Sequence, residues 1–149
     1  MARNFIQSKF SPKNVSKYVG DPSNIFARSS WERKVMVFFD TNPDILKWSS
    51  EEIVIPYMDG ASGKVRRYFP DFAIVVKTKT GSVERILVEV KPFAQTQPPK
   101  KPSKMTKRYI TETTTYITNQ SKWKAANEWI KTHNFDKFMI LTENEIFGK

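Results

Sequence analysis

Two nearly continuous apolar runs, residues 72–76 and 86–90, constrain this chain more than any other feature. Runs this short and this apolar need cover on both faces, so they read as central strands. The intervening Lys77, Thr78, Lys79, Thr80, Gly81 and Ser82 make a hairpin loop between them. Helices must then supply the two covers. One is predicted over 30–40, where Ser29 or Ser30 caps, Glu32 suits the first turn, and Trp31, Val35, Phe38 and Phe39 form an apolar face. Asn42-Pro43 ends it. The second is predicted over 118–133, with Trp123, Ala126 and Ile130 on one side. Ile53, Ile55 and Tyr57 alternate as in a strand, and Pro56 marks that strand as an edge. Turn residues at 59–63 lead into a further strand at 65–69, and a last strand is predicted at 137–142. The order is helix, three to four strands, helix, strand. It describes a single α/β domain over 1–149, a small mixed sheet flanked by helices.

The charge is unevenly placed. Of 25 Lys and Arg, ten lie in two segments that contain no acid: Arg3, Lys9, Lys13 and Lys17 near the start, and Lys91, Lys100, Lys101, Lys104, Lys107 and Arg108 later. The remaining basic and acidic residues balance, so the whole formal charge of +10 sits in residues 1–20 and 91–110, which fall in a basic N-terminal arm (1–25) and in Lys91 with the Pro- and Lys-rich loop that follows it (92–115). A single basic run is commonly just a solubilising stretch, but two beside a neutral body fit a polyanionic partner. The sequence contains no Cys and one His, which excludes disulfides, thiolate catalysis, iron–sulfur clusters and multi-histidine metal sites within one chain. It has neither a span-length apolar run nor a signal-like start, so a soluble protein with no membrane partner is expected.

Asp71 opens the first central strand after Pro70, and Glu89 and Lys91 end the second. Across a hairpin the two acids should lie side by side at one end of the sheet. Glu89 and Lys91, two apart, share a face that Val88 and Val90 do not. Adjacent carboxylates repel unless a cation lies between them, and oxygen-only donors favour Mg²⁺ or Mn²⁺. Glu32 is a candidate third carboxylate. Each part alone has an ordinary meaning: Pro-Asp as a strand-entry turn, Glu-x-Lys as an exposed pair, Glu32 as a helix-dipole partner. The ordered conjunction is what points to a site.

Glu32, Pro70-Asp71 and Glu89-Val90-Lys91 together resemble the PD-(D/E)xK nuclease signature. The stretches 67–72, 88–91, 119–126 and 138–143 are most similar to the branch that holds TnsA-type transposon endonucleases and the head-completion nucleases of tailed phages. The resemblance spans nearly the whole chain. It implies a restriction-endonuclease-like core that hydrolyses phosphodiesters of double-stranded DNA with Mg²⁺, Mn²⁺ being an alternative. Asp71, Glu89 and the carbonyl of Val90 would hold the metal, and Lys91 would orient or deprotonate water and offset charge on the phosphate. Glu32 would bind a second metal or orient the nucleophile. Lys100, Lys101, Lys104, Lys107 and Arg108 become a flap over the DNA backbone, with Arg66, Arg67 and Lys122 as further phosphate contacts. Asn119 is expected behind the site, with packing or capping as its plainer role.

Such a nuclease would process packaged DNA before head–tail joining, in the host cytoplasm or the virion, beside head, portal or neck proteins. Two alternatives remain open: a non-catalytic connector that grips the DNA end, and a transposition endonuclease. A degenerate connector should have lost one of Asp71, Glu89 and Lys91. The transposition reading expects an additional domain beyond the last core strand.

Overall fold

The computed structural model describes residues 7–148; Arg3 lies outside them. In chain order the regular elements are β1 (Ser8–Lys9), β2 (Phe26–Ala27), α1 (Ser30–Thr41), β3 (Ile45–Ser50), β4 (Ile55–Met58), β5 (Val65–Tyr68), β6 (Phe72–Lys77), β7 (Val83–Val90), α2 (Lys107–Trp129), β8 (Lys137–Leu141) and α3 (Glu143–Ile146). The central sheet runs β3-β6-β7-β8, antiparallel except for the parallel β7–β8 pair. It is the mixed α/β layer expected from the apolar runs.

The two central strands form the hairpin that the loop residues require. Thr78 N donates to Ser82 O at 2.8 Å, and Gly81 takes φ +87°, a conformation costly for any residue with a Cβ. Strand parity then sorts the side chains. Phe72, Ile74, Ile86, Val88 and Val90 face α1, where Val35, Met36, Phe39 and Trp48 complete one core. Leu87 and Ala73 face α2 and pack with Trp123, Ala126, Ile55, Tyr57 and Tyr68 in the other. Glu89 shares the parity of Leu87, and Asp71 that of Ala73. Both acids therefore belong to the α2 side.

Three expectations are corrected. The strand β3 was not anticipated, because its pattern is broken by a register shift between Ile45 and Lys47, so the buried positions Ile45, Trp48 and Ser49 do not alternate. The helix α2 begins at Lys107, well before the predicted 118. Residues 111–115 include four Thr, whose branched Cβ disfavours helix, yet Thr106 caps the helix by accepting from Tyr109 N at 3.1 Å. Lys107 and Arg108 thus stand on the first helical turn, and the loop after Lys91 is 92–106. The helix also ends at Trp129, before a short 3-10 turn over Ile130–Thr132.

The N-terminal segment is no free arm within its described part. Phe10, Tyr18 and Ile25 are buried in the α1-side core, and Tyr18 stacks edge-on against Trp48 at 4.8 Å. Asp40, only 2 % exposed, accepts from Lys13 N at 2.8 Å and Asn14 N at 3.0 Å, while its own carbonyl accepts from Asn14 Nδ2 at 2.7 Å. A buried carboxylate of this kind is stable only while its donors are present, and they are stranded without it. Asp40→Ala is expected to cost about 2–3 kcal/mol in urea unfolding, whereas the exposed Asp44→Ala should stay within about 0.5 kcal/mol.

Candidate active site

At one end of the sheet three neighbouring strands terminate in acids. Ser50 pairs with Phe72 and Phe72 with Val88, so Glu51, Asp71 and Glu89 come next in register across β3, β6 and β7. Asp71 is fixed from two directions: its Oδ2 accepts from Val90 N at 2.7 Å, and its carbonyl accepts from Glu51 N at 3.1 Å. Glu89 is buried, 4 % exposed. Its Oε1 accepts from the Tyr68 hydroxyl at 2.6 Å, and its Oε2 lies 3.5 Å from Lys91 Nζ. One oxygen of Glu89 is therefore held by a neutral donor and the other by a partly exposed cation.

Burial pushes the Asp71 carboxyl well above the usual carboxylate range, with the negative charges of Glu89 and Glu32 adding to it and the Val90 amide and Lys91 opposing it. Burial also raises Glu32 and Glu51; Arg28 lowers both, and Glu89 raises both. The Tyr68 hydroxyl is driven far up by burial and by Glu89, so it remains a protonated donor. The end of the sheet is overcharged with acid relative to the cations it contains.

Glu32 stands at the margin of the pair. Ser29 caps α1 by accepting from Glu32 N at 3.1 Å, and Glu32 Oε1 turns back to accept from Arg28 N at 3.2 Å. Glu51, whose φ is +54°, is bound by Arg28 at 2.6 Å. Among the described residues no three His, Cys, Asp or Glu side chains converge closely enough to hold an ion by themselves. Asp71 and Glu89 offer an all-oxygen donor pair, mutually repelling and partly buried, which is the donor chemistry that hard divalent cations take.

The phosphate candidates divide. Lys122 lines an open cleft of about 500 Å³ together with Arg66, Arg67 and Phe69, and its Nζ lies 5.7 Å from the Tyr68 ring centroid. Burial lowers its pKa, with Lys91 adding to the drop and Glu89, Asp71 and Asp59 opposing it. It therefore lies within electrostatic reach of the carboxylates. Arg66 is engaged elsewhere, 3.3 Å from Asp59, a buried carboxylate that also accepts from Thr118 Oγ1 at 2.9 Å and so pins the β4–β5 hairpin to α2. Arg67 is exposed, its guanidinium 5.8 Å from the Phe69 ring. Lys100, Lys101 and Lys104 are exposed on the 92–106 loop, and Lys107 on the first turn of α2; Arg108 pairs with Glu112 at 3.2 Å. Asn119 is 4 % exposed, one turn before Trp123 on the buried side of α2, and its Nδ2 lacks a hydrogen-bond partner among the described residues.

Tyr68 and Glu51 were not anticipated. Tyr68 precedes the Pro-Asp pair by two and carried no signal beyond a strand-like apolar position. Glu51 follows a strand hidden by its bulge.

Comparisons with known proteins bear on the same residues. Residues 42–143 match the model of the TnsA-like endonuclease N-terminal family, a stretch that includes Asp71, Glu89 and Lys91. The head completion nuclease of Enterobacteria phage T4 is 44 % identical over 140 residues, covering 91 % of this chain and 90 % of the relative. No solved structure matches. With a family model covering more than half its length and a relative aligned almost end to end, the chain belongs to the TnsA-like endonucleases, a group within the restriction-endonuclease-like superfamily.

Proposed function

We propose that this protein is a Mg²⁺-dependent DNA nuclease that processes packaged DNA during head completion in a tailed phage. The observation that carries the chemistry is the side-by-side placement of Asp71 and Glu89, with Lys91 3.5 Å from Glu89. The near end-to-end similarity to the T4 head completion nuclease supports the biological setting, head completion in the infected host cell; head, portal or neck proteins are the partners that setting would bring. A non-catalytic connector is disfavoured because all three residues of the signature are present and adjacent.

Asp71, Glu89 and the Val90 carbonyl would hold Mg²⁺, and the ion when bound supplies Lewis-acid polarisation of the scissile phosphate and a more acidic water. Lys91 sets a positive charge beside the position where negative charge builds on phosphorus, and it orients the attacking water. Tyr68 fixes the Glu89 carboxylate through Oε1, while Oε2 faces Lys91, and the orientation this sets would be the one presented to the ion. Glu32 acts from the margin, by adding negative potential and by ordering water. Lys122 and Arg67 meet the DNA backbone in the cleft, and Lys100, Lys101, Lys104 and Lys107 meet it from the adjoining loop and helix start.

Removing either carboxylate, as Asp71→Asn or Glu89→Gln, should lower Mg²⁺-dependent cleavage of duplex DNA by about 10³-fold in a gel assay. Unchanged cleavage in both variants would overturn the assignment. Tyr68→Phe keeps the ring but loses the hydroxyl. It should lower cleavage about 10- to 100-fold at limiting Mg²⁺ and recover in part at high Mg²⁺.

The raised Asp71 pKa also predicts a trade between stability and activity. A carboxyl favoured in its neutral form by folding costs stability as pH climbs from the ordinary carboxylate value through the raised folded value. In metal-free buffer at neutral pH, Asp71→Asn should therefore melt a few degrees higher than the parent, and the gap should close on acidification. Added Mg²⁺ should raise the parent's melting temperature but not that of the variant. Calorimetry across pH, with and without Mg²⁺, measures all three.

A further inference from the structure

A second cavity, of about 400 Å³, lies between the loop that leaves Lys91 and the first half of α2. Its lining starts at Ala94, three residues past Lys91, and ends at Asn119, three residues before Lys122, so the chain passes from the catalytic cluster into both of its walls within one helical turn's length of sequence. Its walls are unlike those of the phosphate cleft. Tyr116 brings a flat aromatic ring and Pro98 and Pro99 bring apolar rings to the lining, while Gln95, Gln97 and Asn119 bring amides, that of Gln97 already donating to Thr96 Oγ1 at 3.0 Å. Asn119 is more than nine-tenths buried and holds an unpartnered Nδ2 among the described residues, a costly state for a polar group unless water or a ligand completes it. Lys100 brings positive charge to the same walls, and the one acid there, Glu112, is engaged by Arg108.

Flat faces, amides for hydrogen-bonding edges and a cation for phosphate are the complement of a single nucleotide. A duplex is far too wide for a cavity of this size, and paired bases present no free face to stack. We propose that this cavity binds an unpaired nucleotide next to the scissile phosphate, so that the enzyme favours DNA with a single-stranded extension or frayed end over uninterrupted duplex. The inference rests on the DNA-nuclease reading and adds the structural class of its substrate. The base stacks on Tyr116, Asn119 and the Gln amides meet its edge, and Lys100 meets its phosphate.

The test uses the full chain carrying Asp71→Asn, which blocks cleavage, and fluorescence anisotropy at fixed salt. The probes are a blunt duplex, the same duplex with a short extension of either polarity, and that extension built from abasic residues. An extension of at least one polarity should bind about tenfold more tightly than the blunt duplex. The advantage should vanish with abasic residues and in Tyr116→Ala, while blunt-duplex affinity stays within about twofold. Gln97→Ala serves as a second variant and should weaken the advantage in part. Equal affinity for blunt and extended duplexes, or an advantage that survives abasic substitution or both variants, would overturn the proposal. Cleavage of blunt duplex by the parent chain is scored separately: its presence without any preference for extensions sinks the cavity assignment alone, and its absence on every probe sinks the nuclease reading.

Discussion

The hydrogen bond from the Val90 amide to Asp71 ties the entry of one central strand to the exit of its neighbour. Without it the acid after Pro70 would be a loop residue free to turn to water. With it, Asp71 is held on the α2 side of the sheet, level with Glu89, and two negative charges must share a partly buried space. Everything distinctive at this end of the molecule answers that imposed repulsion: Lys91 and Tyr68 each take one oxygen of Glu89, and Arg28 draws off Glu51. Under the nuclease reading proposed above, that incompletely neutralised conflict is what a cation and a substrate would relieve.

The same architecture separates tasks by face. The α1 side is an apolar, aromatic core in which Phe39, Trp48 and Phe72 make edge and tilted ring contacts, and the N-terminal segment is fastened to it through Asp40. The α2 side is amphiphilic: Leu87 and Trp123 pack, while Glu89 and Lys122, from the same strand and helix, gather charge toward the sheet end. Stability and chemistry thus draw on opposite surfaces of one four-stranded sheet.

Much of this was legible in the sequence because the hairpin at 72–90 has the simplest possible grammar. Apolar runs, a Gly-containing turn and a fixed period of two place Asp71 beside Glu89 with no further information. Elsewhere local pattern and tertiary outcome diverge. The bulge in β3 hid a strand and, with it, Glu51. The threonines of 111–115 argued against helix, but an N-cap and packing of the later turns on the sheet carry the helix through them. Basic residues at the start looked like an arm because charge is visible in a sequence, whereas the burial of Phe10, Tyr18 and Ile25 is a long-range event. Tyr68 illustrates the limit best: nothing in its neighbours says that its hydroxyl will meet a carboxylate 21 positions away.

The loop after Lys91 is secured at both ends: Phe93 N donates to Glu143 Oε1 at 2.7 Å, and Thr106 caps α2. A tail with the same lysines would explore a volume set by its whole length and would surrender that freedom on each encounter with DNA. A strap fixed at two points has little to surrender. Under the proposed function its lysines would act as a standing reservoir of positive charge on the loop that leaves Lys91, so that a DNA backbone contact made elsewhere on the protein would find the next one at high local concentration.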